Sequence, residues 1–106
     1  GHVDFPEPDA ATLGGITPWI RVAKLAGSKG LPVTSHGIHD VHVHLLAAVP
    51  NASYLEVHGF GLERFIERRV ELKKGKAIAP DTPGHGIALD FVRLKAYRES
   101  TYSSMT

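Results

Sequence analysis

Three ionisable side chains of complementary type recur along this 106-residue chain: Asp9, His36 and Glu56, with intervals of 27 and 20 residues. Each stands at or just after the end of a short run that reads as a strand. The runs are residues 3–5 (leading out through Pro6-Glu7-Pro8-Asp9), 31–35 and 54–57. The intervals are close to one βα repeat of an eight-fold barrel, about 31 residues, and in such a barrel the strand ends open into one mouth. An aspartate beside a histidine fixes the imidazole tautomer and stabilises the cation left by proton capture, so the pattern points to general acid–base chemistry.

The elements between these residues are those needed to hold strand ends together. Thr17-Pro18 predicts a helix start, with the threonine as N-cap and proline at the first helical position. Trp19, Ala23 and Ala26 share one face of that helix with Ile20 beside it, and Trp19 reads as core. Gly14-Gly15 reads as a tight turn, and Gly27 and Gly30 bracket the helix end. Asp40 is expected to cap a second helix with Val41, Leu45, Leu46, Ala48 and Val49 as its apolar positions, stopped by Pro50 and Asn51. Strand, helix, strand, helix, strand in short units is the pattern of a parallel sheet covered by helices, an α/β fold. The charge-rich stretch of residues 63–76 is expected to be a solvated face running into a hairpin turned at Lys74-Gly75, with Ala77-Ile78-Ala79 returning. A loop over residues 80–86, a short helix over 90–98 and a frayed end over 100–106 complete the reading.

The segments PDAATLGGITPWIRVAKLA, LPVTSHGIHDVHVHLLAAVPNASYLE and GKAIAPDTPGHGIALD, with the Asp9–His36–Glu56 spacing, resemble the C-terminal part of the enolase superfamily. The resemblance is to its mandelate racemase-like subgroup (mandelate racemase/muconate lactonizing enzyme) and spans residues 3–98. It implies the sixth, seventh and eighth strands of a modified TIM barrel over residues 1–62. A C-terminal extension over 63–106 would then pack on a capping domain. It also implies His36 as general base or acid, Asp9 as its hydrogen-bonding partner, and Glu56 as a hydrogen bond to the substrate carboxylate. His58, two residues on, is a second substrate-binding candidate, although a position on the open surface explains it more simply. The implied chemistry is magnesium-dependent abstraction of the proton α to a carboxylate, giving dehydration or racemisation of a sugar acid or related hydroxy acid. The family's acidic Mg2+ ligands and its second base, a lysine, would lie upstream of residue 1, so no residue here is assigned as a metal ligand. The expected partners are a small hydroxy-carboxylate, the remainder of the barrel with its capping domain, and further copies in a homo-oligomer. His85 departs from the family pattern, which usually carries an apolar residue there.

Composition sets the rival classes. A formal charge of +1 argues against nucleic-acid binding by bulk electrostatics. The absence of cysteine excludes disulfides and thiolate zinc sites. No apolar run approaches the roughly 20 residues of a membrane-spanning helix. The opening GHVDFPEPD lacks the basic and apolar parts of a signal peptide, so a cytoplasmic protein is expected. The run His36, His39, His42, His44 raises a histidine metal module as an alternative, without an HExxH pattern, although exposed or partly buried helix histidines explain it more simply. A non-catalytic structural or complementing fragment of a barrel is the other alternative.

Overall fold

A computed structural model of the chain describes residues 2–59 and 61–99. Two helices and three extended segments build its first half, with α1 at Ile16–Ser28 and α2 at His39–Ala47. Trp19, Ala23 and Ala26 are the buried residues of α1, as their spacing on one face requires. The helix begins earlier than Thr17-Pro18 suggests. Gly15 is the N-cap, without a side-chain cap, and Pro18 falls third in the first turn, where an N–H would have no helical partner in any case. Asp40 likewise is not the N-cap of α2. Ile38 holds that position and Asp40 is the second helical residue, a carboxylate placed favourably at the positive end of the helix dipole. Ala48, expected on the apolar face, is exposed.

The extended segments lie side by side but do not form the three regular strands the sequence suggests. Thr34 N–H donates to the Pro6 carbonyl (3.1 Å), and His36 N–H approaches that of Pro8 (3.4 Å). Proline has no N–H to return, so this ladder is one-sided. On the other side Val33 makes a complete parallel bridge to Ala52, donating to Asn51 and accepting from Ser53, both at 2.8 Å. The third segment therefore pairs from residue 51 and not from 54. Beyond the bridge, side chains replace backbone. Thr34 Oγ1 donates to the Tyr54 carbonyl and Ser35 Oγ accepts from Glu56 N–H.

Ala10, Trp19, Ala23, Val33, Leu45 and Leu46 form the core, with Ile20, Val41, Val49 and Leu55 packed on it. Two polar side chains tie this core together. Trp19 Nε1 donates to the Pro8 carbonyl (2.9 Å), fastening α1 to the first segment. Asn51, which reads in sequence only as a helix stop, donates from Nδ2 to the carbonyls of both Ala23 and Leu31. The helices cover one side of the extended segments. The other side carries a groove of about 320 Å³ lined by Phe5, Glu7, Thr34, Tyr54, Leu55 and Glu56.

The second half is lighter. A 3-10 turn at Leu62–Arg64 precedes the antiparallel pair β1 (Glu71–Lys73) and β2 (Lys76–Ile78), in the register Glu71 to Ile78. Lys74 and Gly75 join them, both at positive φ, which suits the right-handed twist of a tight hairpin. Ile66, fully buried, bridges to Leu89. The final helix is shorter than residues 90–98. α3 runs Phe91–Leu94, capped by Asp90, whose side chain accepts from the N–H groups of Val92 and Arg93, and a 3-10 turn continues over Lys95–Tyr97. The frayed end expected over 100–106 lies outside the described residues.

Candidate functional site

The ends of the three extended segments meet where Asp9, His36, Glu56 and His58 project. Asp9 is fixed first: its Oδ1 accepts from Ala11 N–H at 2.9 Å in a tight local turn. Its Oδ2 lies 3.9 Å from His36 Nδ1, within ion-pair reach and longer than a hydrogen bond, a looseness common for such pairs in the absence of substrate. Gly37 makes this approach possible. Its φ is +97°, and a Cβ there would stand 2.9–3.0 Å from the carboxylate atoms of Asp9, so any side chain would push the acid away from the imidazole. The Gly37 N–H in turn donates to Glu56 Oε2 at 3.2 Å.

Glu56 and His58 lie two apart on an extended segment and so share a face. His58 Nε2 is 2.8 Å from Glu56 Oε2, and the His58 ring meets the His36 ring edge-on with centroids 5.1 Å apart. His58 is half-buried, not on the open surface, because its backbone N–H donates to Nδ1 of the buried His39 at 3.2 Å. His36, with half its side chain exposed, is the most accessible member of the group, followed by Glu56 at 40%.

The structure thus brings together all four residues singled out by type and spacing. It separates the run of histidines on α2. His42 is not a surface or partly exposed group: it is fully buried, accepts from Ala10 N–H at Nε2 (3.0 Å) and donates from Nδ1 to the Ile38 carbonyl (2.7 Å). Both ring nitrogens are therefore used in holding the Asp9–Ala10 turn against the helix. His39 is buried beside Asp40, and His44 donates to the carbonyl of His85, tying α2 to the 80–86 loop. The signal for His42 was in the sequence, since residues 42, 45, 46 and 49 form one helical stripe, so a histidine in line with Leu45, Leu46 and Val49 must face the core. Gly37 carried no such signal, because its role depends on Asp9, 28 positions away.

A separate cavity of about 390 Å³ opens between the hairpin, the 80–87 loop and Asp40. It shares none of the four clustered residues. Among the described residues no helix is long and apolar enough to cross a membrane.

Comparison with known proteins adds a third line. Residues 1–93 match the family described as enolase C-terminal domain-like. The chain is 47% identical over 94 residues to the 3,6-anhydro-α-L-galactonate cycloisomerase of Streptomyces coelicolor, covering 89% of this chain and 26% of that protein. A racemase from the same species, solved with bound magnesium, superposes with a TM-score of 0.81 at 42% identity, over 89% of this chain and 26% of its own. The L-talarate dehydratase of a Polaromonas species, solved with magnesium and L-glucarate, gives 0.82 at 37% identity, over 92% of this chain and 27% of its own. The chain spans about a quarter of the length of each of these relatives.

Proposed function

Because the chain belongs to the enolase C-terminal domain-like family, we propose that it supplies three strand ends of a mandelate racemase-like barrel. The complete protein would remove the proton α to the carboxylate of a sugar acid or related hydroxy acid. The single observation that carries this reading is the convergence of His36, Asp9 and Glu56 on one mouth. Dehydration is placed slightly ahead of racemisation, in line with the several sugar-acid dehydratases among the relatives, although a racemase also stands among the similar structures.

His36 is the acid–base group. With Nδ1 turned toward Asp9, its Nε2 faces outward to take the α-proton or to protonate a departing β-hydroxyl, and Asp9 steadies the imidazolium in between. Asp9 acts through position: the Ala11 N–H and the absence of a side chain at Gly37 hold its carboxylate where the imidazole can use it. Glu56 is the group that would meet the substrate carboxylate, and His58 Nε2 stands beside it at 2.8 Å. Magnesium takes near-octahedral oxygen ligands. The donors close enough together here to share one ion are two imidazoles and one carboxylate, which do not fit it. The ion bound in the related structures is therefore assigned to residues outside this chain.

The open face supports membership of a larger barrel. Parallel strands are normally covered on both sides, yet Phe5 and Tyr54 stand 47% and 72% exposed on the groove side. The radius of gyration, 16.1 Å, exceeds the roughly 13 Å of a compact domain of this length. The same openness favours, as the second reading, a structural or complementing role for the chain taken alone.

The test is turnover of L-talarate, L-glucarate and 3,6-anhydro-α-L-galactonate with magnesium, using the full-length protein and the 106-residue chain side by side. The full-length protein should turn over one of these acids, His36→Asn should lower the rate by about 10²–10⁴-fold, and the chain alone should be inactive. Undiminished turnover by His36→Asn would overturn the assignment of the base.

A further inference from the structure

His36, Glu56 and His58 each offer a ligand atom within 4.8 Å of the other two. We propose that these three side chains form a site for a divalent transition metal of the zinc class. The donor chemistry selects the ion: imidazole nitrogens suit zinc, nickel, copper and iron, whereas magnesium prefers oxygen. Three protein ligands with a fourth position left to water is a common zinc arrangement.

The geometry needs only a small contraction. With metal–donor distances of about 2.0–2.1 Å, tetrahedral donors stand about 3.3 Å apart. Glu56 and His58 are already closer than that, at 2.8 Å, so they open slightly while His36 moves in. His36 can do so, being the most exposed member of the group, at the end of its extended segment. The supporting contacts are also present. Asp9 faces Nδ1 of His36, leaving Nε2 for the ion, which is the carboxylate–histidine–metal arrangement that orients an imidazole ligand. Glu56 is held by the Gly37 N–H, and the His58 backbone is held by His39.

The site does not rest on the proton-transfer reading, but both use the same imidazole. An ion on His36 Nε2 takes the lone pair a base would need, so zinc occupancy and proton transfer by His36 exclude each other.

The experiment is a calorimetric titration of the chelator-stripped chain with Zn2+ and with Mg2+, paired with the visible spectrum of the Co2+ form. One Zn2+ per chain, no comparable heat from Mg2+ and a tetrahedral Co2+ spectrum are expected. Glu56→Gln, close to isosteric, and His58→Ala should each weaken Zn2+ binding by more than about 100-fold, while Asp9→Asn, which removes only the supporting carboxylate, should cost about 10–100-fold. Trp19 fluorescence reports whether each variant is folded; if His58→Ala is not, Glu56→Gln decides. His44→Gln should bind as tightly as the parent. The proposal is overturned if no stoichiometric Zn2+ binds, if Glu56→Gln binds undiminished, or if the binding follows His44 instead.

Discussion

Replacing His42 by leucine tests whether this buried ring acts as a polar clamp or as simple filling. The parent ring is 1% exposed, accepts from Ala10 N–H at 3.0 Å and donates to the Ile38 carbonyl at 2.7 Å. Ile38 keeps two backbone donors, from the N–H groups of Val41 and His42, so its carbonyl is not orphaned in the variant. The Ala10 N–H is orphaned, at a cost of about 1–3 kcal/mol, and the lost Ile38 bond adds about 1 kcal/mol. The expected loss is thus about 2–4 kcal/mol, a large part of the roughly 5–15 kcal/mol of a typical domain. His42→Gln retains a carbonyl acceptor in place of Nε2 and should recover part of it. Urea unfolding is read from Trp19, the only tryptophan, buried with its ring centroid 6.2 Å from that of His42. With a slope of about 2 kcal/mol per molar urea, the leucine midpoint should fall by about 1–2 M. A leucine variant within about 0.5 kcal/mol of the parent, or a glutamine variant no better than leucine, would refute the clamp.

Gly37→Ala combines a strained φ of +97° with a clash against the Asp9 carboxylate. It should cost about 1–3 kcal/mol and, in the full-length protein, lower turnover as Asp9→Asn does; urea midpoints and kcat together check it. Asp90→Ala removes the two capping bonds of α3 and should cost about 0.5–2 kcal/mol, seen as faster amide exchange at Val92 and Arg93 with little effect around Trp19. The exposed Phe5, Tyr54, Phe91 and Val92 give the chain an adhesive surface, so sedimentation should show concentration-dependent association, and charged replacements at Phe5 and Tyr54 should reduce it.

The order of elements and the coming together of Asp9, His36 and Glu56 were legible in the linear chain because they depend on local rules. The spacing of Trp19, Ala23 and Ala26 dictates the buried face of α1, and Lys74-Gly75 dictates a tight turn wherever it is placed. Repeated strand-to-helix units bring Asp9, His36 and Glu56 to one edge irrespective of packing detail. Boundaries were less legible, since the start of α1 depends on Gly15 and not on the Thr17-Pro18 signal, and the strands are thinned by prolines whose missing N–H groups matter only once a neighbour lies alongside.

The remainder was decided by contacts between positions far apart in the chain. His42 became a clamp because the Asp9–Ala10 turn packs against α2 across 32 positions. Gly37 became obligatory because Asp9 came within 3 Å of its absent side chain. His58 joined Glu56 and His36 because His39 draws in its backbone. A residue's type and spacing state what it can do, whereas its partners exist only after the chain has brought distant segments together, and in this fold those partners set which histidines are buried and which face the mouth.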